Sequence, residues 1–188
     1  MSIWEHRINR HWPLFSITVL ALCAGWIWMS RSPSPALDSG IPAPRQGFLA
    51  PGFTLNTLDG KETSLSDSKG KVVLINFWAS WCPACKAEMP NIQAAYHAYG
   101  GQGLVVLAIN ATDQDEANAA RQFARTEGLT FPLLADVSGA TFQLYQVQAL
   151  PTSFFVDRQG KIAWVVVGGP MAEALIRSHV EALLKETP

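Results

Sequence analysis

The chain has 188 residues, 48% of them hydrophobic, with a formal net charge of −1 at pH 7. That length and apolar content suit one folded domain with appendages. From Gln46 onward ten Lys and Arg face thirteen Asp and Glu, a mildly acidic balance that excludes an electrostatic case for nucleic acid and favours protein or small-thiol partners.

Residues 1–11 are short and polar with Arg7 and Arg10, and are read as a cytoplasmic N-terminus. Residues 12–29 form an uncharged apolar stretch from Trp12 to Met29. At about 1.5 Å per helical residue it is long enough to cross a bilayer's hydrocarbon core, and Trp12, Trp26 and Trp28 suit the two interfaces. An uncleaved single-pass signal-anchor is favoured over a cleaved signal peptide. Ser34-Pro35-Ala36 supplies a small-residue site, but the run exceeds the roughly 7 to 15 residues of a signal core. Lipidation at Cys23 is disfavoured by the bulky Leu22 before it and by apolar residues after it. Arg7 and Arg10 place the N-terminus inside, against Arg31 on the other flank, so the following domain is expected outside the membrane. Disulfides persist there, and reduction must be supplied by a partner. Residues 30–47, with Pro33, Pro35, Pro42 and Pro44, read as an extended linker.

The expected domain occupies residues 48–186. Phe53 to Leu58, an Asp59-Gly60 turn and Lys61 to Leu65 predict a β-hairpin added to the sheet. Val72 to Phe77 is a β-branched and aromatic run suited to a strand covered on both faces. Cys82-Pro83-Ala84-Cys85 follows, at the start of a helix predicted over Ala84 to Tyr99. A C-x-x-C between strand and helix is the redox form of that motif. The i, i+3 spacing puts both sulfurs on one helix face, close enough to join. Cys82 sits where unpaired backbone N–H groups and the helix dipole stabilise a thiolate, which makes it the nucleophile. Pro83 needs no N–H partner at the first helical position, and Cys85, a turn deeper, is the resolving thiol. A zinc site would want a second ligand pair. Covalent haem attachment would need His where Lys86 stands, and a purely structural bridge over so short a loop would stabilise only modestly.

The stretch Phe77-Trp78-Ala79-Ser80-Trp81-Cys82-Pro83-Ala84-Cys85-Lys86 resembles the active site of the thioredoxin superfamily. Ala50-Pro51-Gly52-Phe53-Thr54-Leu55 and the run from Leu65 to Leu74 resemble its membrane-tethered TlpA/ResA/DsbE-like branch, a redoxin group of thiol:disulfide oxidoreductases. The likeness covers about Phe48 to Leu184. It implies an α/β, thioredoxin-like three-layer fold: a central mixed sheet flanked by helices, with an N-terminal β-hairpin and a central helix-strand insertion. It also implies a periplasmic domain tethered to the bacterial inner membrane, with no cofactor beyond the Cys82–Cys85 disulfide. The implied partners are oxidised exported proteins, apocytochrome c among them, and a membrane thiol-electron donor.

Downstream, the helix after the dithiol should turn Met89, Ile92, Ala95, Tyr96 and Tyr99 inward, kink at Pro90 and end at Gly100-Gly101. Leu104 to Ile109 is another buried strand, reached by a right-handed crossover. A helix from about Gln114 to Thr126, closed by Gly128, a strand within Leu129 to Asp136 and a short helix from Gly139 to Tyr145 match the insertion. Leu150-Pro151 before Thr152 to Val156 reads, from residues alone, as a strand terminator. The resemblance makes it the cis-proline loop facing the dithiol, with backbone groups free to pair with an extended substrate. Asp157 to Lys161 turns into Ile162 to Val167, and a last helix from Pro170 to Leu184 buries Leu175, Ile176, Val180, Leu183 and Leu184.

Trp81 is expected to rim the site and shape docking. Asn76 stands where the resemblance would place a buried aspartate serving as base for Cys85. The resemblance implies an acidic residue of the insertion near the site, and by position Asp113 is the candidate for that proton transfer, its other reading being a helix N-cap. Glu88, one turn after Cys85, is read as a surface residue, and His97 and His179 as exposed or satisfied. The uncharged Pro83-Ala84 pair carries no feature of a strong oxidant, so the expected activity is reduction of protein disulfides. Two other classes fit less of the pattern. A thiol peroxidase needs a proline and a hydroxyl where Ile75 and Ala79 stand, and a tethered chaperone or Cu(I) carrier would use the dithiol as a soft ligand.

Overall fold

The computed structural model describes residues 5–30 and 42–186, in two compact units divided after Leu37. The first contains helix α1, Glu5–Ser30, which spans the predicted anchor and starts within the predicted cytoplasmic segment. Along it Phe15, Leu20, Leu22, Trp26 and Trp28 are exposed, as is Cys23. Among the described residues no helix is long and apolar enough to cross a membrane. The Ser34-Pro35-Ala36 site, and the expected linker up to residue 41, lie outside the described residues.

The second unit is built on seven strands: β1 Thr54–Thr57, β2 Glu62–Ser64, β3 Val72–Trp78, β4 Leu104–Asn110, β5 Leu133–Ala135, β6 Thr152–Val156 and β7 Ile162–Val167. Their order is β2-β1-β5-β4-β3-β6-β7. The central β3–β4 and β4–β5 pairs are parallel, and the pairs outside them antiparallel. The helices are α2 Pro83–Tyr99, α3 Ala117–Thr126, α4 Ala140–Leu144 and α5 Glu173–Lys185.

Strand alternation divides the core into two layers. Val72, Leu74 and Trp78 of β3 join Met89, Ile92, Ala120, Ile176 and Val180 from α2, α3 and α5. Val73, Ile75 and Phe77 point the other way, to Phe53, Tyr145 and Phe154. The hairpin extends the sheet through β1–β5 pairing, as its Asp-Gly turn between two strand segments predicted. This is the three-layer α/β arrangement implied by the resemblance.

Several local expectations shift. The chain from residue 42 is already bound to the domain: Gly47 N donates to Ile162 O at 2.8 Å, and Ile162 N to Phe48 O at 2.8 Å. Helix α2, with Pro90 inside it, does not stop at Gly100 but tightens into a 3-10 turn over Gly100–Gln102 that Gly103 ends in the left-handed region. Leu175 faces outward at 39% exposure, because α5 starts at Glu173 and presents Ile176, Val180 and Leu183 to the sheet. The helix after β4 starts at Ala117 with Glu116 as N-cap, so Asp113 is not its cap. The three preceding residues are used elsewhere, as the site shows.

Candidate active site

Strand β3 delivers the chain to the dithiol through a tight turn. Ala111 N donates to Trp78 O at 3.0 Å, and Cys82 N to Ala79 O at 3.2 Å. Cys82 is the N-cap of α2 in extended backbone, with Pro83 as the first helical residue. Its Sγ accepts from Cys85 N at 3.1 Å, so the sulfur occupies the place where a helix N-terminus favours negative charge. The two cysteines are joined in a disulfide. Cys82 is 4% exposed and Cys85 fully buried, an asymmetry that suits attack by the first and resolution by the second.

A groove of about 400 Å³ opens at Cys82. Trp81, Cys82, Pro83, Ala84 and Leu150 all line it, with Phe142 and Val147 from the insertion. The Leu150–Pro151 bond is cis, and Pro151 itself is buried. The expected free backbone is partly used: Pro151 O accepts from Gly168 N at 2.8 Å, and Ala149 O from Thr152 Oγ1 at 2.7 Å.

The structure does not bring Asp113 into this group. It lines a neighbouring cavity with Gly139 and Gln146, accepts from Gln114 Nε2 at 3.1 Å, and packs so closely on Gly139 that a Cβ there would lie 2.8 Å from its Oδ2. The next two residues serve the active-site turn instead. Gln114 O accepts from the Trp81 indole at 3.1 Å. Asp115 accepts from Ser80 N and Ser80 Oγ, both at 2.6 Å, and from Asn110 Nδ2 at 2.7 Å. Trp81 is thus pinned at its nitrogen while its ring stays 55% exposed.

Glu88 corrects the surface reading. It is fully buried, its Oε1 accepting from Asn76 Nδ2 at 2.7 Å and its Oε2 from Met171 N at 3.1 Å. Asn76 Nδ2 also donates to Ser153 Oγ at 2.9 Å, the residue opposite it in the β3–β6 register. Burial pushes the Glu88 carboxyl above its ordinary value, outweighing the two bonds that favour its charged form. The signal that pointed inward was spacing. Glu88 is three residues from Cys85 and one before buried Met89, on the α2 face that packs against the sheet. Asn76 lies on the same side of β3 as Leu74 and Trp78, so strand and helix alternation bring the amide and the carboxyl together. His97 is exposed, and His179 is satisfied by stacking on Trp164 at 4.5 Å.

The model of the AhpC/TSA family matches residues 47–165. A thiol-disulfide oxidoreductase ResA of Geobacillus thermodenitrificans is 38% identical over 137 residues, 73% of this chain and 77% of that protein. ResA of Bacillus subtilis is 34% identical over 148 residues, 79% of this chain and 81% of its own. Among solved structures, a thiol:disulfide interchange protein of the thioredoxin family from Chlorobium tepidum superimposes with a TM-score of 0.68 at 27% identity, covering 74% of this chain and 97% of that one. At the two positions where peroxide reduction would need a proline and a hydroxyl, Ile75 and Ala79 are fully buried apolar residues.

Proposed function

The chain belongs to the AhpC/TSA family as a ResA/DsbE-like thiol-disulfide oxidoreductase, and we propose that it works as a membrane-tethered, extracytoplasmic reductase of protein disulfides. The observation that carries the chemistry is the placing of Cys82 as N-cap of α2, at the mouth of a groove, with Cys85 buried behind it. In the reduced enzyme the Cys82 thiolate attacks one sulfur of a partner's disulfide. A mixed disulfide forms and the partner's other sulfur leaves as a thiolate. The Cys85 thiolate then attacks Cys82 Sγ, releasing the partner's second thiol. The partner gains two electrons and two protons, and the enzyme is left with the Cys82–Cys85 disulfide, which a membrane thiol donor reduces.

Resolution needs the buried Cys85 to lose its proton. Glu88 takes the role for which Asp113 is the sequence candidate: it is a buried carboxyl one turn away on the same helix face, held by Asn76 and Met171. The largely apolar groove beside Cys82 suits an extended segment of an exported protein, and apocytochrome c before haem attachment is one such substrate. Tethering is supported by α1, along which Phe15, Ile17, Leu20, Leu22, Trp26 and Ile27 are exposed. Alkaline carbonate extraction tests it: the chain stays with the membrane, and release into the supernatant overturns the tether.

Two experiments test the chemistry and its direction. Cys82→Ala abolishes insulin-disulfide reduction, and retained activity would sink the assignment. The potential of the Cys82–Cys85 couple, measured against glutathione and dithiothreitol, is expected nearer the roughly −270 mV of thioredoxin than the roughly −120 mV of DsbA. A value near the latter reverses the proposed direction.

A further inference from the structure

The turn that carries Cys82 is not held by α2 alone. Ser80, two residues before the nucleophile, gives both its backbone N–H and its hydroxyl to Asp115, each at 2.6 Å. Asp115 is fixed in turn by Asn110 Nδ2 at 2.7 Å. Asn110 is fully buried at the end of β4, opposite Trp78 in the parallel register, and its Oδ1 accepts from Thr112 Oγ1 at 3.0 Å. The neighbouring Gln114 carbonyl holds the Trp81 indole. Consecutive residues of the β4–α3 loop thus clasp consecutive residues of the active-site turn, and the clasp is anchored in the sheet. Asp115 is acceptor-only as a carboxylate, and the three donors aimed at its two oxygens define one geometry.

We propose that Asp115 is a positioning residue: it acts through Ser80 to hold the turn so that Cys82 Sγ stays at the N-terminus of α2. With the clasp open the sulfur leaves the Cys85 N–H and the positive end of the dipole, and its thiolate loses that stabilisation. The charge of Asp115 is not the working part, since a negative charge near Cys82 would oppose thiolate formation. Asparagine separates the two roles. Its oxygen at the Oδ2 position still accepts from Ser80 N and Asn110 Nδ2, and its Nδ2 at the other position donates to Ser80 Oγ, whose own proton turns away. The inference rests on Cys82 being the nucleophilic thiol. That premise has its own control, insulin reduction by the unmodified protein with Cys82→Ala as blank, whereas alkylation needs no disulfide substrate.

The test is the pH profile of iodoacetamide alkylation at Cys82 in the reduced full-length chain, read by peptide mass spectrometry so that Cys23 and Cys85 are counted separately. Asp115→Ala is expected to raise the midpoint and to slow alkylation near neutral pH by about tenfold, the loss that one pKa unit produces below both midpoints. Asp115→Asn keeps the clasp and removes a charge that opposes the thiolate, so its midpoint is expected at or below the unmodified one. An unchanged profile in Asp115→Ala overturns the proposal. So does an equal change in the Ala and Asn variants, which would make charge the working part. Should Asp115→Ala fail to fold, Ser80→Ala removes one of the three bonds and carries the test. Alkylation slowed about two- to threefold supports the clasp, and the unmodified rate overturns it.

Discussion

Asn76 Nδ2 lies 2.7 Å from Glu88 Oε1, an amide and a carboxyl closed between β3 and α2 with neither residue exposed. Asn76 Oδ1 has no partner among the described residues. The pair therefore keeps hydrogen-bonding capacity in reserve beside a carboxyl whose burial disfavours its charge.

That burial makes stability depend on pH in a set direction. The folded carboxyl holds its proton above the ordinary 4.5. Between about 4.5 and the raised folded value the folded state binds more protons than the unfolded one, so stability falls as pH rises through that window. Glu88→Gln cannot ionise. Reversal of the Asn76 amide lets Oδ1 accept from the new amide and from Ser153, while the new carbonyl accepts from Met171 N. Urea titrations from about pH 4 to 8 should show the variant without this fall, and more stable than the unmodified protein above the window. Its insulin reduction is expected to be slower, because Cys85 loses its proton acceptor. A variant less stable across the whole range would contradict this account.

His179 gives the opposite slope. It stacks on Trp164 and meets Phe155 edge-on at 4.9 Å, and burial lowers its pKa from 6.5. Its contribution is full above about 6.5 and is lost as pH falls through the lower folded value. In Glu88→Gln, where the carboxyl no longer masks it, stability should decline below about pH 6.5. An NMR titration of the His179 ring should give a midpoint below the ordinary value, and a midpoint above it would refute the burial argument.

Gly169 is packed between Pro151 of the proline loop and the buried carboxyl of Glu88. A Cβ there would lie 2.8 Å from Pro151 Cγ and 3.0 Å from Glu88 Oε2, and a proline ring is not a flexible chain end that can swing aside. Gly169→Ala is expected to cost about 1 to 3 kcal/mol and to lower activity by shifting Pro151. Thermal unfolding and insulin reduction check the two effects, and unchanged values in both would show that the loop yields freely.

Tyr145 ties the insertion to the N-terminal segment. Its hydroxyl donates to Pro51 O at 2.7 Å from a site 1% exposed, and burial moves its ionisation well above the ordinary 10. Tyr145→Phe leaves the Pro51 carbonyl without that donor and should destabilise by about 1 to 3 kcal/mol, leaving Cys82 alkylation unchanged. Denaturant midpoints measure the first and peptide mass spectrometry the second.

The elements that hold the dithiol were legible because their signals are contiguous. A continuous β-branched run made β3, an Asp-Gly between two strand segments made the hairpin, and C-x-x-C with Pro83 marked the start of α2. Periodicity also separated the two layers of the core, since Val72, Leu74 and Trp78 must share one face of a strand and Val73, Ile75 and Phe77 the other. Glu88 shows where residue type misled: a carboxylate is assigned to solvent by its desolvation cost, although its place in the α2 period already pointed inward.

The sequence by itself determined the C-x-x-C pair, the order of its cysteines on a helix and the strand that delivers them, because each depends on residues within one turn or one strand. Only the tertiary structure decided which acidic residues lie against the turn and helix that carry the dithiol. Asp113 and Asp115 are two positions apart in one loop, and the path of that loop across the end of β4 sends one to Gly139 and the other to Ser80. Glu88 finds Asn76, Ser153 and Met171 nearby only after β6 has been laid beside β3 and the chain before α5 has been brought over α2. Contacts of that kind join residues about ten to eighty positions apart, and they are set by packing and register rather than by any local preference.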